Sequence, residues 1–311
     1  MNMKTAILIF SLALAGITVR AQGDTTALLG RWDITVHAPR RDFPSWLEVY
    51  RSGSRFMVGR FVGGGGSARP ISRVNLENGK MRFSIPPQWE SEDRNLDVEG
   101  SMQGDSLVGT MVTPSGETLN WVGYRAPALR RQGEPAWGKP IVLFDGKDLQ
   151  GWHASGETNQ WVAEDGILRS PRPGSNIVTN QKFTDFKLHI EFRYPKGSNS
   201  GVYLRGRYEV QIEDEAGGVE PPNDVISAVY GFLPPVEQAS KGPGVWQTYD
   251  ITLVGRLVTI VLNGKTVICR QEIPGITGGA LDSREDEPGP IFLQGDHRAI
   301  EYRNIVLTPA K

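Results

Sequence analysis

The chain has 311 residues and a net charge of −1, with 34 Lys and Arg set against 35 Asp and Glu. Charge so evenly balanced gives no field with which to collect nucleic acid or an anionic membrane surface. With 37 Gly, 21 Pro and few long helical patterns, it reads as an all-β, loop-rich protein of about two domains.

Residues 1–21 read as a secretory signal peptide: Lys4 gives a positive start, Ala6 to Val19 an apolar run, and Val19-Arg20-Ala21 a small-residue exit before Gln22. The run is too short for a comfortable membrane span, and no transmembrane segment is expected once it is removed. No Cys stands near the cleavage point to carry a lipid anchor, so a periplasmic or secreted location is expected. Cys269 is the only Cys, which forbids an internal disulfide and leaves the core alone to hold the fold.

From 24 to 125, short alternating runs such as WDITV (32–36), WLEVYR (46–51), KMRFSI (80–85) and TLNWVGYR (118–125) are separated by turn signals, Asn78-Gly79 and Gly104-Asp105 among them. Seven or eight antiparallel strands at this spacing predict a small barrel or sandwich. The opening Leu29-Gly30-Arg31-Trp32 resembles the G-x-W start of lipocalin-like barrels. Gly63 to Gly66 offer an anion cradle in principle, but no helix start follows, so a flexible hairpin loop is expected. Residues 126–138 lose the strand pattern and read as a linker. From 139 to 311 about a dozen further strands follow, including FKLHIEFRY (186–194), AVYGFL (228–233) and a hairpin turning at Asn263-Gly264. Their number predicts two large sheets packed face to face, a jelly-roll sandwich.

The motifs LFDGKDLQGW (143–152), FKLHIEFR (186–193), NSGVYLRGRYEVQIED (199–214), WQTYDI (246–251), FLQGDH (292–297) and YRNIVL (302–307) occur in that order. Together they resemble the 3-keto-disaccharide hydrolase family over about residues 139–311. The resemblance implies a concanavalin A-like jelly roll in an exported bacterial protein acting on carbohydrate. One departure stands out: the family often runs Leu-Gln-Asp-His, whereas Gly295 here separates Gln294 from Asp296.

Alternation along NSGVYLRGRYEVQIEDE puts Tyr203, Arg205, Glu209, Gln211 and Glu213 on one polar face if the turn is tight. His189 and Glu191 share the polar face of FKLHIEFR and are expected beside it as a concave cleft. Trp152, Tyr230 and Trp246 are candidate walls, with Gln294 nearby, while Trp161 is expected in the core. The E-x-D-x-E motif of laminarinase-type glycosidases is missing; its nearest counterpart, Glu209-x-Gln211-x-Glu213, has an amide at the centre.

The chemistry implied by the resemblance does not need that motif. A ketone at C3 acidifies the C2 proton of a sugar, so a base can start an elimination that water later completes as hydrolysis. Glu209 or Glu213 is then the expected base, Arg205 the partner of the enolate, and His297 the acid. A separate sugar 3-oxidoreductase would supply the substrate. Four scattered His residues argue against a metal site, no cofactor motif is present, and the acidic loop Asp282, Glu285, Asp286 and Glu287 reads as an unstructured charged loop in preference to a calcium site. The competing reading is a lectin-like carbohydrate-binding module on the same sandwich.

Overall fold

The computed structural model describes residues 25–88, 90–214 and 222–311, and the expected signal segment lies outside them. After a short 3-10 turn, Thr25–Leu28, eight strands follow: β1 (Gly30–His37), β2 (Phe43–Ser52), β3 (Phe56–Val62), β4 (Arg69–Glu77), β5 (Lys80–Ile85), β6 (Leu96–Gln103), β7 (Ser106–Val112) and β8 (Thr118–Arg125). Each pairs antiparallel with the next, and β8 returns to β1, closing a barrel. Period-two patterning is what drives closure: in β5 exposed and buried residues alternate strictly, and the buried set faces inward. Trp32, Leu47, Phe61, Met81, Leu107 and Trp121 belong to that inner cluster, so the barrel has a packed interior.

Thirteen further strands build the sandwich: β9 (Ile141–Phe144), β10 (Trp152–Ala154), β11 (Val162–Glu164), β12 (Ile167–Ser170), β13 (Ile177–Thr179), β14 (Phe186–Arg193), β15 (Asn199–Leu204), β16 (Tyr208–Glu213), β17 (Gln247–Val254), β18 (Leu257–Leu262), β19 (Lys265–Glu272), β20 (Phe292–Leu293) and β21 (Ile300–Pro309). The smaller sheet runs β10-β13-β20-β15-β16, and the larger runs β11-β12-β21-β14-β17-β18-β19 with β9 also on β21. Between them Val202, Leu204, Val210 and Ile212 of the smaller sheet share one core with Leu188, Ile190, Phe192 and Ile251 of the larger. The β18–β19 turn takes left-handed backbone at both Asn263 (φ 53°) and Gly264 (φ 83°), as an Asn-Gly hairpin demands. The segment 228–233 departs from expectation: it makes only isolated bridges, Val229 to Val210 and to Leu233.

The barrel is embedded in the sandwich. Its Trp46 and Val62 belong to the sandwich's hydrophobic cluster. The Trp46 ring meets Phe232 edge-on at 5.4 Å, and a Cβ at Gly275 would collide with that indole at 2.2 Å. The acidic loop contradicts its sequence reading, because it is structured at this junction. Glu285 is fully buried against Arg256, and Asp282 accepts from Arg207 Nε at 2.7 Å. Asp33, from the barrel, reaches the same place: burial and then the charge of Glu285 push its carboxyl pKa up. Glu285 is held below the usual range because its Arg256 ion pair outweighs the burial that would raise it. Asp33 is therefore the protonated member of a carboxyl pair that spans the two units.

Candidate active site

Three residues, 205–207, link β15 to β16 and place Tyr203 directly opposite Glu209, Gly201 opposite Gln211, and Asn199 opposite Glu213. The polar sides of both strands thus form one floor, facing away from the sandwich core. Gly201 decides how that floor is used. A Cβ there would lie 2.2 Å from Glu209 Oε1, so the bare backbone lets the carboxylate lean across β15.

Glu209 is almost wholly buried. Burial, then the negative charges of Asp296, Glu213 and Asp224, push its pKa up to about 8 against the opposing hydrogen bond from Tyr203. The Tyr203 hydroxyl lies 2.8 Å from Glu209 Oε2 and 2.9 Å from the Gly278 carbonyl. One hydroxyl proton cannot serve two acceptors at once, so a protonated Glu209 can donate to Tyr203 while Tyr203 donates to Gly278. Phe292 stacks on the Tyr203 ring at 4.2 Å and fixes its plane. The Glu209 amide donates to Thr277 Oγ1 at 3.0 Å, and its carbonyl accepts from the Tyr230 amide at 3.1 Å.

The other end of the cleft is open to solvent. There Asp296 Oδ1 and His297 Nδ1 are 2.6 Å apart. The Asp296 contact raises the His297 pKa, and His297 in turn holds Asp296 low despite partial burial. Gly295, the residue that departs from the family pattern, donates to Asn176 Oδ1 at 2.7 Å; a Cβ there would meet the Trp161 ring at 2.7 Å. His297 lines the same cavity of about 550 Å³ as Tyr203, Glu209, Gln211, Glu213, Tyr230 and Gln294. Gln294 Oε1 is buried with no hydrogen-bond partner among the described residues, an acceptor that a bound hydroxyl would satisfy.

Five sequence-derived candidates lie elsewhere. Arg205 has φ 54°, and the left-handed turn breaks the strand parity that put it beside Glu209. Its guanidinium donates instead to Tyr208 Oη and the Gly255 carbonyl, both at 3.0 Å. His189 and Glu191 are on β14, between β21 and β17 in the larger sheet, so their outward face belongs to the opposite side of the sandwich. His189 pairs with Asp250 there, and Glu191 accepts from Arg303 at 2.7 Å and from Asn304 at 2.6 Å. Trp246 shares that face, its ring flanked by Arg193 and Arg303. Trp152 is a core residue whose indole donates to the Leu143 carbonyl at 2.6 Å. Alternation says which side chains leave the core, but not which sheet a strand joins.

The cavity also contains residues the sequence did not assign to it: Asn176, Asn199, Asp224 and Asp296, with Gly64 to Gly66 of the barrel, which were expected as a flexible hairpin loop. Asp296 was within reach, being part of the FLQGDH motif. The glycines lie far upstream of the floor, and no local pattern connects them to it.

A curated relative from Bacteroides thetaiotaomicron, a 3-keto-disaccharide hydrolase, is 30% identical over 106 residues. That match takes in 30% of this chain and 34% of the relative, so the chain spans about a third of that protein's length. Two solved structures from Parabacteroides distasonis, described as candidate glycosyl hydrolases, are also similar. One is 32% identical with a TM-score of 0.48, covering 54% of this chain and 82% of its own. The other is 28% identical with a TM-score of 0.44, covering 55% and 98%. The family described as the 3-keto-alpha-glucoside-1,2-lyase-like domain matches residues 139–308, more than half of the sequence and all of the cleft's floor, and the chain belongs to it.

Proposed function

We propose that the protein cleaves 3-keto glycosides by elimination followed by hydration. The observation that carries this reading is Glu209, a buried carboxyl poised near pH 8 against a tyrosine hydroxyl on the floor of a polar cleft. Ionised Glu209 takes the C2 proton, and the electron pair left behind forms an enolate with the C3 carbonyl. The enolate re-forms the ketone and makes a C1–C2 double bond as the C1–O bond breaks. The departing oxygen takes a proton from His297, whose pKa the Asp296 contact raises. Water then adds at C1 and C2 regains a proton, so the sum is hydrolysis. Arg205 is out of reach of the cleft; the Tyr203 and Tyr230 hydroxyls and the side-chain amides of Gln211, Gln294, Asn176 and Asn199 are donors on its lining that can meet the enolate oxygen. Because Glu209 is partly protonated at neutral pH, it also has the form needed to return the proton to C2.

Substrate of this kind requires a prior oxidation at C3, so a sugar 3-oxidoreductase acts upstream, and export places the two steps outside the cytoplasm. The test pairs a 3-keto glucoside with the same sugar unoxidised, in deuterated water. Turnover of the keto sugar alone, with deuterium entering at C2, is the expected result. Equal turnover of both sugars, with no label at C2, would instead establish direct displacement at C1. Binding without turnover of either would establish a lectin-like module.

A further inference from the structure

The barrel lies outside the matched family, yet its loop 63–66, between β3 and β4, reaches the cleft. Gly64, Gly65 and Gly66 line the same cavity as Tyr203 and Glu209. The loop is held in place by the sandwich: the Gly279 amide donates to the Gly64 carbonyl at 3.1 Å, and a Cβ at Gly278 would lie 2.2 Å from the Gly66 carbonyl oxygen. Gly278 also accepts from Tyr203, so the loop sits above the buried, reacting end of the cleft. Below it, Trp46 and Val62 lock the barrel into the sandwich core. A flexible hairpin loop, the sequence expectation, would have none of these contacts.

The glycines differ in what they tolerate. Gly64 is pressed against Phe43, which a Cβ would meet at 2.9 Å, and Gly66 has φ 78°, a left-handed conformation other residues resist. Gly65 has neither constraint: a Cβ there meets no atom within 4 Å. The fold leaves that position free for any side chain, while the cleft it borders holds only about 550 Å³, a volume suited to a short glycoside.

We propose that this barrel loop is a wall of the substrate site, that it meets the sugar through backbone N–H and C=O groups alone, and that Gly65 sets how large a glycoside can enter. The inference rests on the functional reading above. It makes the barrel part of the enzyme's binding surface, and its ligand a hydroxyl-rich molecule of one or two rings.

The test is binding of a 3-keto disaccharide by titration calorimetry. It uses full-length protein carrying Glu209→Gln, so that the ligand survives, alone and combined with Gly65→Ala or Gly65→Leu. Weakening that grows with side-chain size, to tenfold or more for Leu, is expected, together with a melting temperature within a few degrees of the parent. In the Glu209-intact protein the same substitutions raise KM more than they lower kcat. Binding by the Leu variant within twofold of the parent would overturn the inference and leave the functional reading standing. Failure of the unsubstituted protein to bind or turn over the keto sugar would overturn both.

Discussion

A carboxyl group whose pKa lies near 8 is only partly ionised at neutral pH, and Glu209 must act within that limit. As the base it requires the ionised form, so kcat/KM for a 3-keto glycoside should climb as pH approaches about 8 and, where the leaving group needs a proton, fall again as His297 gives up its own, followed in a pH–rate series. Glu209→Gln keeps the shape and removes the base, and should cost a hundredfold or more in kcat. Stability moves in the opposite sense. The native state keeps a proton that the unfolded chain releases above its ordinary value of 4.5, so burial of Glu209 costs stability as pH rises from there to about 8. Urea unfolding at acid and at mildly alkaline pH should show the Gln variant losing less over that interval than the parent. His297 acts on the leaving group, so His297→Gln should slow glycosides of alkyl alcohols far more than those of nitrophenol, which departs without a proton.

At the scale of the strands, the site depends on a glycine in the middle of β15. Gly201→Ala would set a methyl group where Glu209 Oε1 now lies. That oxygen ends a flexible side chain, so the clash is relieved by moving the carboxylate and not the sheet. A fall in kcat of tenfold or more with little change in melting temperature is expected, and the pH–rate midpoint should shift with it. β14 supplies the opposite control. Because His189 and Glu191 face outward from the larger sheet, Glu191→Gln and His189→Ala should leave turnover within about twofold. Partly exposed surface ion pairs of this kind contribute about 1 kcal/mol or less, so stability should also change little.

Across the whole molecule, barrel and sandwich share a core and a buried proton. Trp46 is fully buried at the junction, and Trp46→Ala should cost about 3–5 kcal/mol, the usual range for deleting a core aromatic. Calorimetry should show both units of the parent melting in one transition. Asp33 carries a raised pKa, so the native state binds a proton that the unfolded chain loses, and stability should fall as pH rises above the usual carboxylate range. Asp33→Asn keeps a donor toward Glu285 and should flatten that decline at alkaline pH.

Much of this architecture is written in local patterns. Period-two runs mark the strands, Asn78-Gly79 and Asn263-Gly264 mark tight hairpins, and the alternation in NSGVYLRGRYEVQIED puts Tyr203, Glu209, Gln211 and Glu213 on one face. These features are legible because they depend on neighbours a few residues apart. Parity, however, holds only while the backbone stays extended, so Arg205 was lost at a left-handed turn. Sheet membership depends on hydrogen bonds between distant segments, which is why His189, Glu191 and Trp246 face away from the cleft. The elevated pKa of Glu209 comes from burial beneath loops that converge from 64–66, 224–230 and 277–279, and no single stretch of sequence encodes that burial. Alternation marks most of the residues that leave the core, whereas which of them meet depends on contacts between chain segments far apart in sequence, and it is those contacts that make the cleft.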